Sequence, residues 1–372
     1  MLRTLAAVTV VLGLCLRCAY ADGGAYRASA SEKGSVLVFP KIELRWDAAG
    51  NLLQDTIVTL NNNYPADVTI VMYFVSETCT AVDNDIVLTR NEPAFWAAST
   101  GLPKGVSPFT VLGAAYADPE GSTDLVLRGY IVAWATDENH NQLRWNHLSG
   151  GATFVNYAQN WAAEYNAYAF AGLPATGPNG ALVGSSGSIQ LNGSEFDAGY
   201  SSLLLDFFAS GSQALSGGGV AIGLDTDLTL MILSQDFRQE TPGPFITKAN
   251  FAIWNENEVS FSGMEFCLTK WSGKLLSSLG GHFLLPNLQT DHGRAEITGL
   301  QSVVCKDSTA QSLLGISQKV LAFPTHPVKT AANLVGIGTK PASILFDTTT
   351  FPPPIRGTVD VTSDGATKVH GD

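Results

Sequence analysis

Charge is scarce in this chain. Lys, Arg, Asp and Glu make up 15% of its 372 residues, against roughly a quarter in ordinary soluble domains. Bases are the scarcer sign: 21 Lys and Arg stand against 33 Asp and Glu, for a net charge of -12. With no basic cluster to neutralise phosphates, nucleic acid and anionic lipid are excluded as expected partners. Catalytic signatures are missing too. The chain has no Gly-x-Ser-x-Gly nucleophile elbow, no His-Glu-x-x-His, no haem-attachment motif and no phosphate loop. Gly184-Ser-Ser-Gly187 lacks the elbow's spacing, and Gly336-Ile-Gly338 is an isolated pair. Past the first residues no apolar run is long enough to cross a membrane, so no transmembrane segment is expected in the mature chain. Helical periodicity is almost absent, which argues against a helix bundle.

The one long apolar run that does occur reads as a secretory leader. Arg3 supplies the positive start, Leu5 to Leu16 the apolar stretch, and Ala19-Tyr20-Ala21 the small-residue cleavage signal. Residues 1–21 are the expected signal peptide, with a secreted, extracellular or periplasmic destination. Loss of Arg3 and Arg17 takes the net charge from -12 to -14. Cys15 and Cys18 fall inside this leader, behind Leu14 and Arg17, where a lipidation signal wants a small residue. Cys79, Cys267 and Cys305 remain, an odd number that leaves one thiol free or paired between chains. Export makes a disulfide plausible. Cys267 and Cys305 lie in the same half of the chain and are the expected pair, with three buried, inert thiols as the alternative.

The body of the chain alternates polar and apolar residues with period two between clusters of Gly, Pro and Asn, as strands and turns do. Two stretches, Asp55 to Phe74 and Thr247 to Phe266, read as the same hairpin: an alternating strand, an Asn-rich turn and a second alternating strand. Ser35 to Phe39, Ile42 to Trp46 and Leu125 to Thr136 are further strands. Glu92 to Ser99, with Pro93 near its start, and Trp161 to Glu164 read as helical turns. Asp137 to Asn141 is a tight turn, with Leu143 to Trp145 as its returning strand. The expected class is all-β: two tandem β-sandwich domains, immunoglobulin-like or jelly-roll-like. Their bounds are a flexible N-terminal arm at 22–33, a first domain at 34–171, a Gly/Pro-rich linker at 172–187 and a second domain at 188–346. Ser210 to Gly219 is a Gly/Ser loop of that second domain. A flexible tail at 347–372 contains Pro352-Pro353-Pro354, which favours extended geometry.

Several segments resemble an uncharacterised set of secreted bacterial proteins. They are Lys41-Ile-Glu-Leu-Arg-Trp46, Thr89 to Trp96, Gly101 to Phe109, Arg128-Gly-Tyr-Ile-Val-Ala-Trp134, Asn146 to Thr153, Tyr165-Asn-Ala-Tyr168 and Ile253-Trp-Asn-Glu-Asn-Glu-Val259. The resemblance covers most of residues 34 to 325. It implies export and a two-part β architecture, and it carries over no activity and no site residue.

Candidate ligands are few. Asp83 with Asp85, and Asp225 with Asp227, are Asp-x-Asp pairs of the kind that hold calcium in exported β-proteins, because hard cations take several oxygens. The alternative is side chains that cap turns. Apart from calcium, no cofactor is expected. His140 and His147 flank one turn and would form a metal site with Asp137 or Glu138, although His147 reads better as structural. Trp145 and Trp161 are the expected members of a carbohydrate-stacking platform, against the alternative that large rings in apolar strands form core. No catalytic residue is assigned. The leading functional expectation is a non-catalytic structural or adhesive protein with protein or glycan partners, able to self-assemble by adding an arm or tail to a neighbour's sheet edge. A carbohydrate- or envelope-binding protein is the alternative, and a secreted hydrolase with an unrecognised site is the third reading.

Overall fold

A computed structural model describes residues 33–173, 177–214, 221–238 and 245–347, together with the backbone of 358–361 and 367–370. The expected signal peptide, almost all of the expected arm, residues 174–176 of the expected linker, the second half of the Gly/Ser loop and the Pro352–Pro354 triplet lie outside the described residues. The fold is all-β, built of several antiparallel sheets. No helix among the described residues is long and apolar enough to cross a membrane.

Ten strands come first: β1 Val36–Trp46, β2 Leu52–Asn62, β3 Val68–Ser76, β4 Ala81–Leu88, β5 Pro93–Ala97, β6 Tyr116–Ala117, β7 Leu125–Thr136, β8 Leu148–Asn156, β9 Trp161–Asn166 and β10 Tyr168–Phe170. They run in the order β4-β3-β7-β1-β2-β8-β9, with β10 on β1, β5 on β2 and β6 on β7. β1 meets β2 only where Arg45 and Trp46 face Gln54 and Leu52. Beyond that corner β2 takes β5 as its neighbour. Two layers result, β4-β3-β7-β1 and β5-β2-β8-β9. Phe39, Phe74 and Trp134 from one and Trp96 and Phe154 from the other join a single buried cluster.

The remaining strands are β11 Ser188–Leu191, β12 Ser202–Phe208, β13 Gly211–Ala214, β14 Ala221–Ile232, β15 Gln235–Asp236, β16 Ile246–Asn255, β17 Ser260–Thr269, β18 Trp271–Leu275, β19 His292–Leu300, β20 Leu313–Ala322, β21 Pro327–Lys329, β22 Ala332–Asn333, β23 Val335–Ile337 and β24 Ala342–Leu345. One sheet runs β17-β16-β19-β12-β23, and another runs β13-β14-β20-β21 with β18 on β14. In the tail, Thr358–Val361 pairs with Thr367–His370 as a separate two-stranded ribbon.

The two stretches that read as one hairpin fold differently. Thr247 to Phe266 is a hairpin, β16 against β17. Asp55 to Phe74 is not: β7 and β1 separate β2 from β3. Asn62 explains the local difference. Its side-chain amide is buried and donates to the carbonyls of Ala66 (2.7 Å) and Thr89 (3.0 Å), which fixes the Asn-rich segment as a crossing between layers. The two expected helical turns are also strands. In β5 and β9 exposed and buried residues alternate. Pro93 is accommodated at the first position of β5, where a missing N–H costs least. Leu143 to Trp145 forms no ladder strand; the Leu143 N–H returns across the turn to the Ala135 carbonyl (3.0 Å), and Leu143 then bridges to Leu182.

One contiguous apolar cluster takes residues from both sides of 172–187, from Val36 to Phe346. Polar contacts tie the same two halves. The Trp271 indole donates to the Pro40 carbonyl (2.7 Å), and the Tyr168 hydroxyl lies 2.8 Å from the carbonyls of Gly315 and Leu334. Cys267 and Cys305 form a disulfide that spans 38 positions. Cys79 is free and half-buried, and burial pushes its thiol pKa up.

Replacing both Cys267 and Cys305 by Ser should lower the unfolding free energy by about 2–4 kcal/mol, because a loop of this length loses substantial closure entropy when cross-linked. Urea denaturation of the variant against the oxidised wild type measures it, and an unchanged midpoint would contradict the expectation.

Candidate functional site

The outward face of the β17-β16-β19-β12-β23 sheet carries a cleft of about 790 Å³. Strand alternation builds it. On β16, Phe251 and Ile253 point to the core and Trp254 points out; on β19, Ala295 and Ile297 point in and Arg294 points out. Register then sets Trp254, Arg294 and Asp206 abreast across three strands. The Arg294 guanidinium donates from Nε to Asp206 Oδ1 at 2.9 Å. The neighbouring position on β19 must be small. A Cβ on Gly293 would sit 2.5 Å from the Phe207 ring.

The turn between β16 and β17 forms one wall. Asn255 is buried and organises it: Oδ1 accepts the N–H groups of Asn257 and Val259, each at 3.0 Å, while Nδ2 donates to the Leu288 carbonyl. Glu256 and Glu258 are thereby displayed toward the cleft. Across from them, His292 Nδ1 lies 3.1 Å from both Glu256 Oε1 and Asp291 Oδ1. Glu256, Asp291 and His292 each offer a ligand atom, and these atoms lie within 4.8 Å of one another. Behind them the Phe208 ring packs edge-on to His292, and Lys319 Nζ sits 5.1 Å from its centroid. The cleft thus joins carboxylate acceptors, cationic donors and a half-buried indole, with an imidazole–dicarboxylate set of the kind that ligates divalent cations.

None of these residues is among those the sequence marked as candidate ligands, although Trp254 to Glu258 lie in a segment that carried the family resemblance. Trp145 and Trp161 are 6% and 7% exposed and belong to the core. The Trp145 indole donates to Asn62 Oδ1 (3.1 Å) and its ring meets Tyr64 edge-on, while Trp161 occupies an inward position of β9. Neither ring has a free face, so the expected stacking platform is not formed by this pair. Asp83 and Asp85 stand two apart on β4, and Asp85 Oδ2 lies 2.5 Å from His140 Nε2. Burial pushes both carboxyl pKa values up. His147 instead stacks on Tyr64 at 4.4 Å. Asp225 accepts from the Thr226 N–H and the Ser210 hydroxyl.

Asp227 enters a second charged cluster, and this one is buried. Lys41 Nζ reaches Asp227 Oδ2 at 2.5 Å and Glu43 Oε2 at 3.4 Å. Lys329 Nζ stands 3.6 Å from the same Asp227 oxygen. Arg45 joins Glu43 and Asp118, each at 2.6 Å, and Arg128 joins Glu77 (3.0 Å) and Glu120 (3.3 Å). Burial pushes the Glu43 carboxyl up, but Arg45 and Lys41 outweigh it and hold it well below the usual range. Burial, then repulsion from Asp227, pushes the Glu120 carboxyl up to about 7.

No protein-family model matches the chain, and no curated protein matches it in sequence.

Because the folded state holds the Glu120 proton more tightly than the unfolded chain does, this carboxyl lowers stability progressively as pH rises from 4.5 to about 7. Glu120→Gln removes that penalty. Its melting temperature should equal or fall below wild type at pH values under this window, where the wild-type carboxyl is protonated. Above the window it should exceed wild type, by the equivalent of about 1–3 kcal/mol. A gap between the two proteins that does not change with pH would refute the assignment.

Proposed function

We propose that the chain is an exported, non-catalytic adhesive protein that binds carbohydrate in the cleft over β16, β19 and β12. The observation that carries this reading is the row Trp254–Arg294–Asp206, set at the cleft by strand register. Sugar hydroxyls both donate and accept, so they suit a site that pairs carboxylates with a guanidinium, and the apolar face of a pyranose packs on an indole. The leader-like residues 1–21, the scarcity of charge and the lack of any catalytic motif support the exported, non-catalytic part of the reading. The donor set of Glu256, Asp291 and His292 favours one second reading, a metal-assisted secreted hydrolase that uses the same cleft. A glycosidase and esterase screen with added calcium or zinc separates the two.

On a glycan array the wild-type protein should retain at least one class of saccharide. Trp254→Ala should weaken that binding about tenfold or more, the loss expected for an aromatic stacking partner. Trp145→Phe should bind as wild type does. Absence of any glycan binding, or full binding by Trp254→Ala, would overturn the proposal.

A further inference from the structure

The buried cluster holds an arrangement that ion pairing alone does not require. The side chains of Lys41, Asp227 and Glu43 are 1%, 0% and 1% exposed. The Lys41 amine is 2.5 Å from one Asp227 oxygen, and a second carboxylate, that of Glu43, waits 3.4 Å from the same nitrogen. Asp227 Oδ1, and Glu43 Oε2, the Glu43 oxygen that faces Lys41, have no hydrogen-bond partner. Nor has Nε2 of buried Gln318, the residue directly opposite Asp227 in the β14–β20 ladder. Lys104, which is also fully buried, differs. It is shared between Glu92 and the Val87 carbonyl, and its carboxylate partner is partly exposed.

We propose that Lys41 and Asp227 condense to an amide, a self-made cross-link between β1 and β14, with Glu43 as the proton carrier. Two charges sealed from water bear a desolvation cost that an amide does not. Fixed proximity replaces a bimolecular encounter, and the dry surroundings disfavour the reverse hydrolysis. In the first step a proton passes from the Lys41 ammonium to the Asp227 carboxylate, leaving a neutral amine beside a neutral acid. The Nζ lone pair then attacks Cγ, and the C–N bond forms. The oxyanion develops on Oδ1, while Lys329 Nζ stands 3.6 Å from Oδ2, the oxygen that leaves. Glu43 takes a further proton from the nitrogen and delivers it to the Asp227 hydroxyl. The C–O bond breaks and one water leaves. Two protons depart the nitrogen and both leave in that water, so Glu43 ends ionised as it began. One positive and one negative charge vanish together, and no oxidant or co-reactant is needed. The unpartnered Gln318 Nε2 belongs to the residue across the ladder from the new amide.

Intact-mass spectrometry of the reduced, denatured full chain tests this, with the N-terminus fixed by peptide mapping. The expected mass is lighter than the sequence demands by one water, and a branched peptide joins Lys41 to Asp227. With a protease site introduced into 172–187 and cut, the halves should stay together on a reducing, denaturing gel. Lys41→Arg and Asp227→Ala should each restore the full mass and let the halves part. Glu43→Gln keeps both reacting groups and should remain unlinked. If that variant fails to fold, the wild-type mass still decides. A folded wild type of full mass, with the Lys41 and Asp227 peptides recovered separately, overturns the proposal, as does a branch to any other carboxylate.

Discussion

The structure depends on where Lys41 points. β1 is paired with β7 along its length, but the register slips between Phe39 and Ile42. Pro40 and Lys41 occupy that irregularity, and a bulge re-aims the side chains that follow it. After it, Ile42 and Leu44 face the apolar side, while Lys41, Glu43 and Arg45 fall on the other. The bulge is held from outside the strand. The Tyr165 hydroxyl accepts from the Lys41 N–H and donates to the Lys41 carbonyl, and the Trp271 indole takes the carbonyl of Pro40. Buried ion pairs often add little net stability over apolar packing. What this cluster supplies is uniqueness: β14 has one placement that brings Asp227 to Lys41, and any shift along β14 leaves a buried charge bare.

Strand content, most turns and the Cys267–Cys305 pairing were legible in the sequence because they follow from local rules: period two, turn chemistry and cysteine arithmetic. Strand order was not. Asp55 to Phe74 has every local mark of a hairpin, and only the insertion of β7 and β1 between its strands breaks it. β5 and β9 were obscured because Ala-rich, Trp-bearing segments satisfy helix and strand equally until a partner edge is present. Lys41-x-Glu43-x-Arg45 has the look of a solvent face. It is buried only because β14, β21 and the loop carrying Asp118 and Glu120 cover it, from positions far along the chain.

The cleft was illegible for a related reason. Its residues come from β12, β16, β19, β20 and the β16–β17 turn, and none forms a catalytic or metal-binding motif with its sequence neighbours. The nearest signal was the Asn-rich turn itself, which presents Glu256 and Glu258 because Asn255 is spent on the backbone. Inward strand parity buries Trp145 and Trp161, and outward parity leaves Trp254 half-exposed at the site.

β19, which bears His292 and Arg294, lies wholly inside the loop that Cys267 and Cys305 close. One wall of the cleft is therefore built on a ring whose closure depends on the redox state of the surroundings. In a reducing compartment that ring is an open chain, held by ladder hydrogen bonds and core packing; in an oxidising one it is a covalently closed circuit. The same cleft thus has two mechanical grades, a looser one with the ring open and a stiffer one with it closed.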